Sequence, residues 1–516
     1  MVLLASADVE PPLSMERISD VPRRWALETP HGLALVDGKT QWNYQQLGAA
    51  ILDAKRRLHE IGVRAGDRVV IVNENCLAVI AILFAVAELD AWIVLANARL
   101  TAPEIDAITA NSRARLVLFT HVISPDAALH AKRLSAIQQT WGVLGEISLG
   151  ILNKACEAEP RFNDGSEQVA ALVYTTGTTG EPKGVMLTHR NLLHVATVSA
   201  KLRQLSTADR AYGVLPISHI YGLASVTLGT LTAGACLQVA ARFSAKAAAR
   251  ALMFDGITVF QGVPAMYAKL IDHVADDKKF NAPKLHFTYA GGSPLDPGLK
   301  ARSEARLGQT LHNGYGLTES SPTVSQTRLD RPRSDCSVGE VIDGVSVRTL
   351  DDRGHDVDVG EPGELWVRGP NVMKGYYRDP QSTAKVIRDG WLNTGDIARI
   401  DADGALFIVG RTKELIIRSG FNVYPVEVEA ALNAHPAVSQ SAVVGRNVTD
   451  NEEVVAFVEL KPGYETTQDE ISAYVAELLS PYKRPCEIMI LPALPAAPTG
   501  KILKKKLQEI AQRGNS

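Results

Sequence analysis

The chain has 516 residues, which is too long for one compact domain and typical of about three or four. Its 54 Lys and Arg residues nearly balance its 57 Asp and Glu residues, and the formal net charge of −3 excludes a nucleic-acid binder that works through bulk positive charge. Hydrophobic residues make up 46% of the chain and charged residues 22%, which excludes a disordered scaffold.

The N-terminal segment and the cysteines bear on where the protein resides. Residues 1–17 contain no positive stretch ahead of their short apolar run, so we expect no signal peptide. The most apolar run, Leu77 to Ala87, is shorter than the roughly 20 residues that a bilayer requires, and is predicted to be a buried helix. The five cysteines form no CxxC pair, which predicts neither a disulfide framework nor a zinc site. We therefore expect a cytoplasmic protein with no membrane span.

Residues up to about 400 alternate between helix and strand patterns. A helix is predicted to end at Gly62, because apolar residues recur on one helical face before it: Leu47, Ile51, Ala54, Leu58 and Ile61. Short apolar runs typical of buried strands recur between helical stretches: Arg68–Val72, Arg115–Phe119, Ala170–Tyr174, Ile257–Phe260 and His286–Ala290. This alternation predicts mostly parallel sheets covered by helices.

The pattern changes twice in the C-terminal part of the chain. After about residue 325, glycines separate short alternating runs such as Gly363-Glu-Leu-Trp-Val-Arg-Gly369, which predicts an antiparallel barrel or sandwich. After Gly410–Leu415 the sequence becomes mixed α and β and ends in a lysine-rich helix. We therefore predict an N-terminal domain over 1–411 and a smaller C-terminal domain over 412–516, joined by a hinge.

The first motif with a chemical interpretation is Tyr174-Thr-Thr-Gly-Thr-Thr-Gly-Glu-Pro-Lys-Gly184, directly after a predicted strand. Glycines let backbone N–H groups approach an anion closely, threonines add donors, and Lys183 adds a positive charge. A Walker A loop is excluded because Pro182, and not glycine, precedes Lys183. The alternative is an ordinary Gly/Thr turn between a strand and a helix. The density of donors beside a lysine favours a phosphate-binding loop.

The second motif is His312-Asn-Gly-Tyr-Gly-Leu-Thr-Glu319. Gly314 and Gly316 resemble the start of a dinucleotide fingerprint, but Glu319 stands where the third glycine belongs, which disfavours a Rossmann cofactor site. Thr318 and Glu319 suit a pair in which a hydroxyl contacts phosphate and a carboxylate binds Mg²⁺. Taken alone, the segment is equally compatible with an ordinary turn.

The third motif is Gly390-Trp-Leu-Asn-Thr-Gly-Asp396, followed by Gly410-Arg411. The Asp396 carboxylate can accept hydrogen bonds from both hydroxyls of a ribose, and Arg411 can add a donor. The alternative is a β-hairpin in which Asp396 and Arg411 form a surface ion pair, and taken alone this alternative is the more common arrangement.

The fourth motif is Pro498-Thr-Gly-Lys-Ile-Leu-Lys-Lys-Lys-Leu507. The Pro-Thr-Gly turn fixes the position of Lys501, whereas Lys504–Lys506 read as the solvated face of a helix.

In this order, the four motifs resemble those of the adenylate-forming superfamily, in particular its acyl- and aryl-CoA synthetases. A fifth match, Lys413-Glu-Leu-Ile-Ile-Arg-Ser-Gly420, extends the resemblance over essentially the whole chain. The resemblance implies an α/β fold with two helix-covered, mostly parallel sheets and a small antiparallel barrel in the large N-terminal domain. It also implies a smaller, mobile α+β C-terminal domain.

The activity implied by the resemblance is that of an AMP-forming acid–thiol ligase with ATP, Mg²⁺ and coenzyme A as cofactors. By resemblance, the β- and γ-phosphates of ATP are held by Thr175, Thr176, Gly177, Thr178, Thr179 and Lys183. Thr318 contacts the α-phosphate, and Glu319 binds the magnesium. The adenine and the floor of the acid pocket are framed by Gly291, Gly292, His312, Asn313, Gly314 and Tyr315. Asp396 and Arg411 hold the ribose.

The resemblance gives the C-terminal domain two roles. Lys501 bridges the acid's carboxylate and the α-phosphate during adenylate formation. The domain then rotates about Lys413, removes Lys501 and brings Gly420 to the pantetheine tunnel. Lys483 and Arg484 keep a basic pair for CoA phosphate, but Asn451 stands where an aromatic residue often lies near the CoA adenine. A carrier-protein thiol therefore stays open as an alternative acceptor.

The acid itself is only partly constrained. By resemblance, His219, Tyr221, Gly222 and Gly316 belong to the acid pocket, and Ile217 adds to its apolar character. Pro216-Ile-Ser-His-Ile-Tyr-Gly222 lacks the aspartate of amino-acid-activating relatives, so an aromatic or a medium to long aliphatic acid is expected. A catalytically silent nucleotide- or acyl-binding module is a further alternative, although Lys183, Glu319 and Lys501 are all present. Both a monomer and a homodimer stay open.

Overall fold

The computed structural model describes residues 4–5, 15–176, 182–275, 277–419, 421–448, 451–461, 463–496 and 502–513. Its helices are α1 Asp20–Glu28, α2 Tyr44–Ile61, α3 Leu77–Glu88, α4 Ala102–Ser112, α5 Pro125–Arg133, α6 His189–Leu202, α7 Gly229–Thr232, α8 Ala245–Phe254, α9 Pro264–Val274, α10 Pro297–Leu307, α11 Pro380–Val386, α12 Pro425–Asn433, α13 Gln468–Leu478 and α14 Lys504–Arg513. A π-helical segment, Tyr221–Leu228, precedes α7.

The strands of the first half are β1 Leu4–Ala5, β2 Leu33–Asp37, β3 Thr40–Asn43, β4 Arg68–Asn73, β5 Trp92–Asn97, β6 Leu116–Phe119, β7 Ile137–Thr140, β8 Glu146–Leu149, β9 Val169–Thr176, β10 Pro182–Thr188, β11 Arg210–Gly213, β12 Cys236–Val239, β13 Val259–Gly262 and β14 Phe287–Ala290. Those of the second half are β15 Leu311–Gly316, β16 Thr323–Gln326, β17 Glu340–Val341, β18 Ser346–Leu350, β19 Pro362–Arg368, β20 Gly375–Tyr376, β21 Ile387–Arg388, β22 Trp391–Ile400, β23 Leu406–Arg411, β24 Ile416–Arg418, β25 Phe421–Val423, β26 Val438–Val448, β27 Asn451–Leu460 and β28 Glu487–Leu491.

Two large sheets form the N-terminal part, as predicted. One has eight strands in the order β20-β10-β9-β5-β4-β6-β8-β7, and the other has nine in the order β17-β16-β15-β14-β13-β11-β12-β2-β3. The central strands of both sheets are parallel, with antiparallel pairs at their edges. The predicted mostly parallel, helix-covered architecture is therefore confirmed.

The main apolar core lies between these two sheets. It joins Ile71 of β4 to Phe260 of β13 through α3, in which every residue from Leu77 to Ala87 is buried. The prediction of a buried helix is confirmed, and within the described residues no helix is long and apolar enough to cross a membrane. The predicted helix before Gly62 is α2, and Gly62 ends it in the left-handed conformation that glycine adopts at low cost.

The Gly/Thr motif connects two antiparallel strands, β9 and β10. It is therefore a strand-to-strand loop, and not the strand-to-helix turn considered as its alternative. Pairing of Thr175 with Lys183 across this ladder puts the threonine and the lysine side by side.

A third sheet of six strands is antiparallel throughout, in the order β1-β18-β19-β22-β21, with β23 also paired to β22. The predicted antiparallel character is confirmed. Among the residues that the structure describes, the two edge strands of this sheet are not paired with each other, so the sheet is open.

The C-terminal part has its own small core. The sheet β26-β27-β28 alternates its buried residues between two faces: Val443 and Ala456 lie in one apolar cluster with Val428 of α12, and Val444 and Phe457 in another. The second cluster includes Leu507 of α14, the predicted lysine-rich helix. A short 3₁₀ turn, Thr412–Glu414, lies between β23 and β24 at the predicted boundary.

Candidate functional site

Nine of the predicted site residues lie in or directly after the parallel strands β14 and β15. Gly291 and Gly292 follow β14, residues 312–316 form most of β15, and Thr318 and Glu319 lie in the 3₁₀ turn after it. The carboxyl ends of parallel strands form the crevice in which α/β proteins bind their ligands. The second motif therefore lies at a position that suits a ligand, in contrast to an ordinary surface turn.

Two glycines of β15 are required by close packing. A Cβ atom on Gly314 would lie 1.9 Å from Tyr289 Oη and 2.7 Å from the carbonyl oxygen of Ser325. One on Gly316 would lie 1.8 Å from the carbonyl oxygen of Pro322. Glycine at these positions lets β15 approach β14 and the turn after it more closely than any side chain would allow.

Lys183 lies beside the second motif. Its Nζ donates a hydrogen bond to Ser382 Oγ at 2.8 Å, lies 4.0 Å from Asp379 Oδ2, and lies 5.1 Å from the centroid of the Tyr376 ring. Thr175 and Thr176 end β9, whereas Gly177, Thr178 and Thr179 lie outside the described residues.

Tyr376 links Lys183 to Glu319. Its hydroxyl donates to Glu319 Oε1 at 2.8 Å, and burial raises the pKa of Tyr376, so the phenol keeps its proton. Thr318, next to Glu319, is buried. The sequence analysis missed Tyr376, because only the pairing of β20 with β10 brings it to this place.

The third motif forms a buried carboxylate site. Asp396 pairs with Arg411 across β22 and β23, and Arg411 Nε lies 2.9 Å from Asp396 Oδ1. The predicted alternative, a hairpin with an ion pair, is therefore present, but only Arg411 is at the surface. The Asp396 side chain is 3% exposed, and its Oδ2 accepts a hydrogen bond of 2.5 Å from the Tyr315 hydroxyl. This contact connects β15 to the antiparallel sheet.

His312 and Asn313 are buried parts of the strand. His312 Nδ1 lies 3.0 Å from Thr327 Oγ1, and its ring stacks on Phe287. Burial, with Lys300 nearby, lowers the pKa of His312 to about 4, so the imidazole is neutral near pH 7. The Asn313 amide donates to the carbonyl oxygens of Cys336 and Ser337. Both side chains therefore shape the crevice through these protein contacts.

Of the predicted acid-pocket residues, Tyr221 lies beside Gly291. The ring of Tyr221 lies edge-on to that of Tyr289, with centroids 6.0 Å apart. A Cβ on Gly291 would contact both rings, at 3.3 Å from Tyr221 and 3.2 Å from Tyr289. His219 Nδ1 accepts a hydrogen bond from the backbone N–H of Tyr221, and a Cβ on Gly222 would overlap the Pro216 carbonyl.

One charged residue next to these tyrosines was missed by the sequence analysis. Arg203 follows α6 and is 0% exposed, with its guanidinium 4.8 Å from the centroid of Tyr289. The helical period could have found it, because Ser199 and Ala200, one turn earlier, are on the buried face of α6. The pocket expected to be apolar thus has a buried cation beside it.

The structure describes only some of the C-terminal site residues. Lys501 and Gly420 lie outside the described residues, and Lys413 is in the 3₁₀ turn Thr412–Glu414. Arg484 donates to the carbonyl oxygens of Leu479 and Ala476, at the end of α13. The guanidinium predicted to attract CoA phosphate thus also satisfies helix carbonyls.

No preformed cluster for a metal ion is found in the described part of the chain, where no group of three or more His, Cys, Asp or Glu side chains could hold one. Magnesium is usually bound through one or two carboxylates together with substrate phosphates. Glu319, oriented by Tyr376, fits such a site.

Comparisons with known proteins cover nearly the whole chain. Residues 22–377 match the model of the AMP-binding enzyme family, and residues 427–501 match the model of the AMP-binding enzyme C-terminal domain. A feruloyl-CoA synthase from Amycolatopsis sp is 35% identical over 495 residues, which cover 94% of this chain and 97% of that protein. A 4-coumarate-CoA ligase from Narcissus pseudonarcissus is 32% identical, over 92% of this chain and 90% of the other. The crystal structure of ATP-bound MatB from Rhodopseudomonas palustris is 28% identical with a TM-score of 0.85, covering 97% of this chain and 100% of that one.

Proposed function

The chain belongs to the family of AMP-binding enzymes, on the branch of the acyl- and aryl-CoA synthetases, and we propose that it converts an aromatic carboxylic acid to its CoA thioester. The acid and ATP first give an acyl-adenylate and pyrophosphate, and the thiol of coenzyme A then displaces AMP. The main support for the proposal is that two tyrosines connect residues of separate motifs. Tyr376 links Lys183 to Glu319, and Tyr315 links β15 to Asp396.

The phosphates of ATP are assigned to the β9–β10 loop and the turn after β15. Adenylate formation requires a carboxylate to approach a polyanion, so cations and oriented donors must neutralise charge that moves to the leaving pyrophosphate. Lys183 supplies such a cation, and Thr318 a hydroxyl for the α-phosphate. Glu319 holds Mg²⁺, whose charge would further stabilise the leaving group. The β- and γ-phosphates contact the loop residues: Thr175, Thr176, Gly177, Thr178 and Thr179.

The nucleoside is assigned to the crevice between β15 and the antiparallel sheet. Asp396 has a carboxylate that is already fixed by Tyr315 and Arg411, and such a preoriented acceptor suits the two ribose hydroxyls. The adenine is proposed to lie beside Gly291, Gly292 and residues 312–315. His312, neutral because it is buried, adds no charge against the nucleotide.

An aromatic acid is favoured over an aliphatic one by two observations. The edge-to-face rings of Tyr221 and Tyr289 border Gly291, and flat apolar walls of this kind suit an aromatic ring. Two relatives, the feruloyl-CoA synthase and the 4-coumarate-CoA ligase, are named for aryl acids. His219 is assigned to the entrance of this pocket.

The C-terminal domain is proposed to begin after Arg411, in the gap between the two family matches at residues 377 and 427. Lys501 then serves adenylate formation, Lys413 is the hinge, and Gly420 borders the path of pantetheine. Arg484 is assigned to CoA phosphate, although its guanidinium already donates to Leu479 and Ala476.

The proposal is tested by acid-dependent pyrophosphate release with ATP, with and without coenzyme A. The acids are benzoic and cinnamic acids beside short and medium straight-chain acids. We expect release with aromatic acids, faster turnover with coenzyme A, and a thioester product identified by mass spectrometry. Release that never depends on coenzyme A would point to a carrier-protein thiol. No release with any acid would favour a catalytically silent module.

Two matched variants connect the activity to the proposed site. Lys183→Met removes the cation beside Tyr376 and should lower pyrophosphate release at least about 100-fold, because such charge stabilisation acts mainly on the transition state. Lys201→Met, on α6, removes an exposed lysine that pairs with Asp343 and should leave the rate unchanged. Equal rates in the two variants would contradict the phosphate role of the loop.

A further inference from the structure

A cluster of buried polar side chains lies beside the proposed acid pocket. We call it the inner polar cluster: Arg203, Tyr221, Gln261, Tyr289 and Gln326. Each of these residues is buried, and Arg203 has no exposed surface. By contrast, the side chains of Lys183 and Arg411, in the proposed nucleotide site, are 27% and 47% exposed. The cluster therefore lies deeper in the protein than the nucleotide site.

Arg203 is incompletely bonded. Its Nη1 donates to the Ser225 carbonyl at 2.9 Å, and its guanidinium lies over the Tyr289 ring. Among the described residues, its Nε and Nη2 have no hydrogen-bond partner and no carboxylate forms an ion pair with Arg203, whose charge is favoured by the Tyr289 side chain. An arginine stays charged in proteins, and a buried charge without a counter-charge costs several kcal/mol. Such a residue is rarely kept for stability alone.

The neighbours of Arg203 also have unused hydrogen-bonding capacity. Gln261 is paired with Tyr289 across β13 and β14, on the same face, and neither end of its amide has a partner in the described structure. The same is true of the Gln326 amide, opposite Gly314, and of the Tyr221 hydroxyl. Buried polar atoms are nearly always hydrogen-bonded. The unpartnered atoms of Arg203, Tyr221, Gln261 and Gln326 are therefore available to a polar group from outside the protein.

The position of the cluster identifies that group. Tyr221 and Tyr289 belong both to the cluster and to the wall around Gly291, where the proposed acid lies. A polar group that reaches Arg203 would therefore be part of the acid, at the end remote from the carboxylate that reacts with ATP. Arg203 offers two nitrogens with unused N–H donors, and Gln261 and Tyr221 offer further donors.

We propose that Arg203, with Tyr221 and Gln261, binds an oxygen-bearing group at the distal end of the aromatic acid: a phenolic hydroxyl or a second carboxylate. The inference rests on the proposed function and names its substrate class. Arg203 acts as a specificity-determining residue and takes no part in the bond changes. The bound oxygen supplies the partner that the buried guanidinium lacks.

The protonation states agree with this role. Burial raises the pKa of Tyr221, so its hydroxyl keeps its proton and can donate it to an acceptor oxygen. Burial also lowers the pKa of Arg203. A guanidinium nevertheless remains protonated at neutral pH, because its ordinary pKa lies far above that range.

The test compares three acids that differ only at the distal position: cinnamic, 4-hydroxycinnamic and 4-carboxycinnamic acid. In the wild-type enzyme, kcat/KM for an oxygen-bearing acid should exceed that for cinnamic acid at least about 10-fold, because a hydrogen bond to a charged group is gained. The better of the two oxygen-bearing acids distinguishes a hydroxyl from a carboxylate. In Arg203→Met this ratio should fall towards one. In Arg203→Lys, which keeps the positive charge but loses the planar guanidinium, the ratio of kcat/KM values should be intermediate.

Two further measurements separate recognition from a structural role. Arg250→Met removes an arginine of α8 whose side chain is 72% exposed, and should leave the ratio unchanged. The thermal midpoint of Arg203→Met without acid should equal or exceed that of the wild type, since replacing an unpaired buried charge by an apolar side chain relieves its cost. A lower midpoint with an equal loss of kcat/KM for all three acids would overturn the proposal and make Arg203 a structural residue.

The outcomes also separate this inference from the proposed function. If no acid of any kind releases pyrophosphate in the wild-type enzyme, the proposed function fails. If cinnamic acid is used as well as its oxygen-bearing analogues, the proposed function stands and the role of Arg203 is refuted.

Discussion

The buried carboxylate of Asp396 allows a sharp test of the proposed ribose site through Tyr315→Phe. This change removes one hydroxyl and nothing else. The Asp396 side chain is 3% exposed, accepts a hydrogen bond from Tyr315 and forms an ion pair with Arg411. Water therefore cannot readily replace the lost donor.

The size of the effect follows from the charge and burial of Asp396. A hydrogen bond to a charged group contributes about 1.5–3 kcal/mol, compared with about 1 kcal/mol for a neutral pair. Because the bond exists without nucleotide, this loss should appear first in the stability of the N-terminal domain. In a domain of this size it corresponds to a few degrees in the thermal midpoint.

The assay is a double-mutant cycle with Asp396→Asn. In the Asp396→Asn background, the cost of Tyr315→Phe should fall to about 1 kcal/mol or less, since the remaining pair is neutral. Equal costs of Tyr315→Phe in both backgrounds would refute the charged hydrogen bond as its cause.

ATP–pyrophosphate exchange, measured on the same variants, tests the link to the nucleotide. Asp396→Asn should raise the KM for ATP at least about 10-fold, because a preoriented carboxylate acceptor is lost. If Asp396→Asn lowers stability and leaves the KM for ATP unchanged, the hairpin ion pair is purely structural and the ribose assignment is wrong.

Three further changes test other parts of the structure. Lys501→Ala should abolish adenylate formation, measured as exchange, and spare thioester formation from a supplied acyl-adenylate; equal loss of both steps would refute the separate role of Lys501. Gly314→Ala should lower the thermal midpoint strongly, because its Cβ would lie 1.9 Å from the Tyr289 hydroxyl. In Gly48→Ala, inside α2, the new Cβ has an ordinary nearest contact of 3.5 Å, so this control should raise the free energy of unfolding by up to about 1 kcal/mol. Burial lowers the pKa of His189 to about 3. Since the unfolded chain binds this proton below about pH 6.5, stability should fall as pH drops from 6.5 towards 3, by about 1.4 kcal/mol between pH 7.5 and 5.5; an unchanged slope in His189→Gln urea titrations would refute the assignment.

The sequence determined the architecture of the chain. Helical periodicity found α2 and its end at Gly62, and short apolar runs found the strands of two mostly parallel sheets. These signals are local, since they depend on which face of one element is apolar. The motifs are also local, because each needs only neighbouring residues to form a turn. The sequence therefore determined the family, and with it the reaction expected.

Tertiary packing decided which side chains meet. The sequence favoured a phosphate-binding loop for the Gly/Thr motif, but only the pairing of β9 with β10 shows that a strand lies on each side of it, with Lys183 beside Thr175. Tyr376 reaches Glu319 because β20 pairs with β10, across a long separation in the chain. The register between distant strands depends on the packing of the whole sheet, so a local sequence pattern does not predict it.

The burial of individual charged side chains also could not be predicted from the sequence. A surface ion pair of Asp396 and Arg411 was the alternative to their predicted ribose role, yet Tyr315 and the sheet bury the carboxylate and leave only the arginine exposed. Arg203 is at the end of an amphipathic helix, a place where an arginine usually reaches water. Packing of α6 against the rings of Tyr221 and Tyr289 instead closes that path, and an isolated guanidinium remains inside the protein. The sequence determined the family and the reaction expected of it, and the tertiary structure decided which charged side chains are buried.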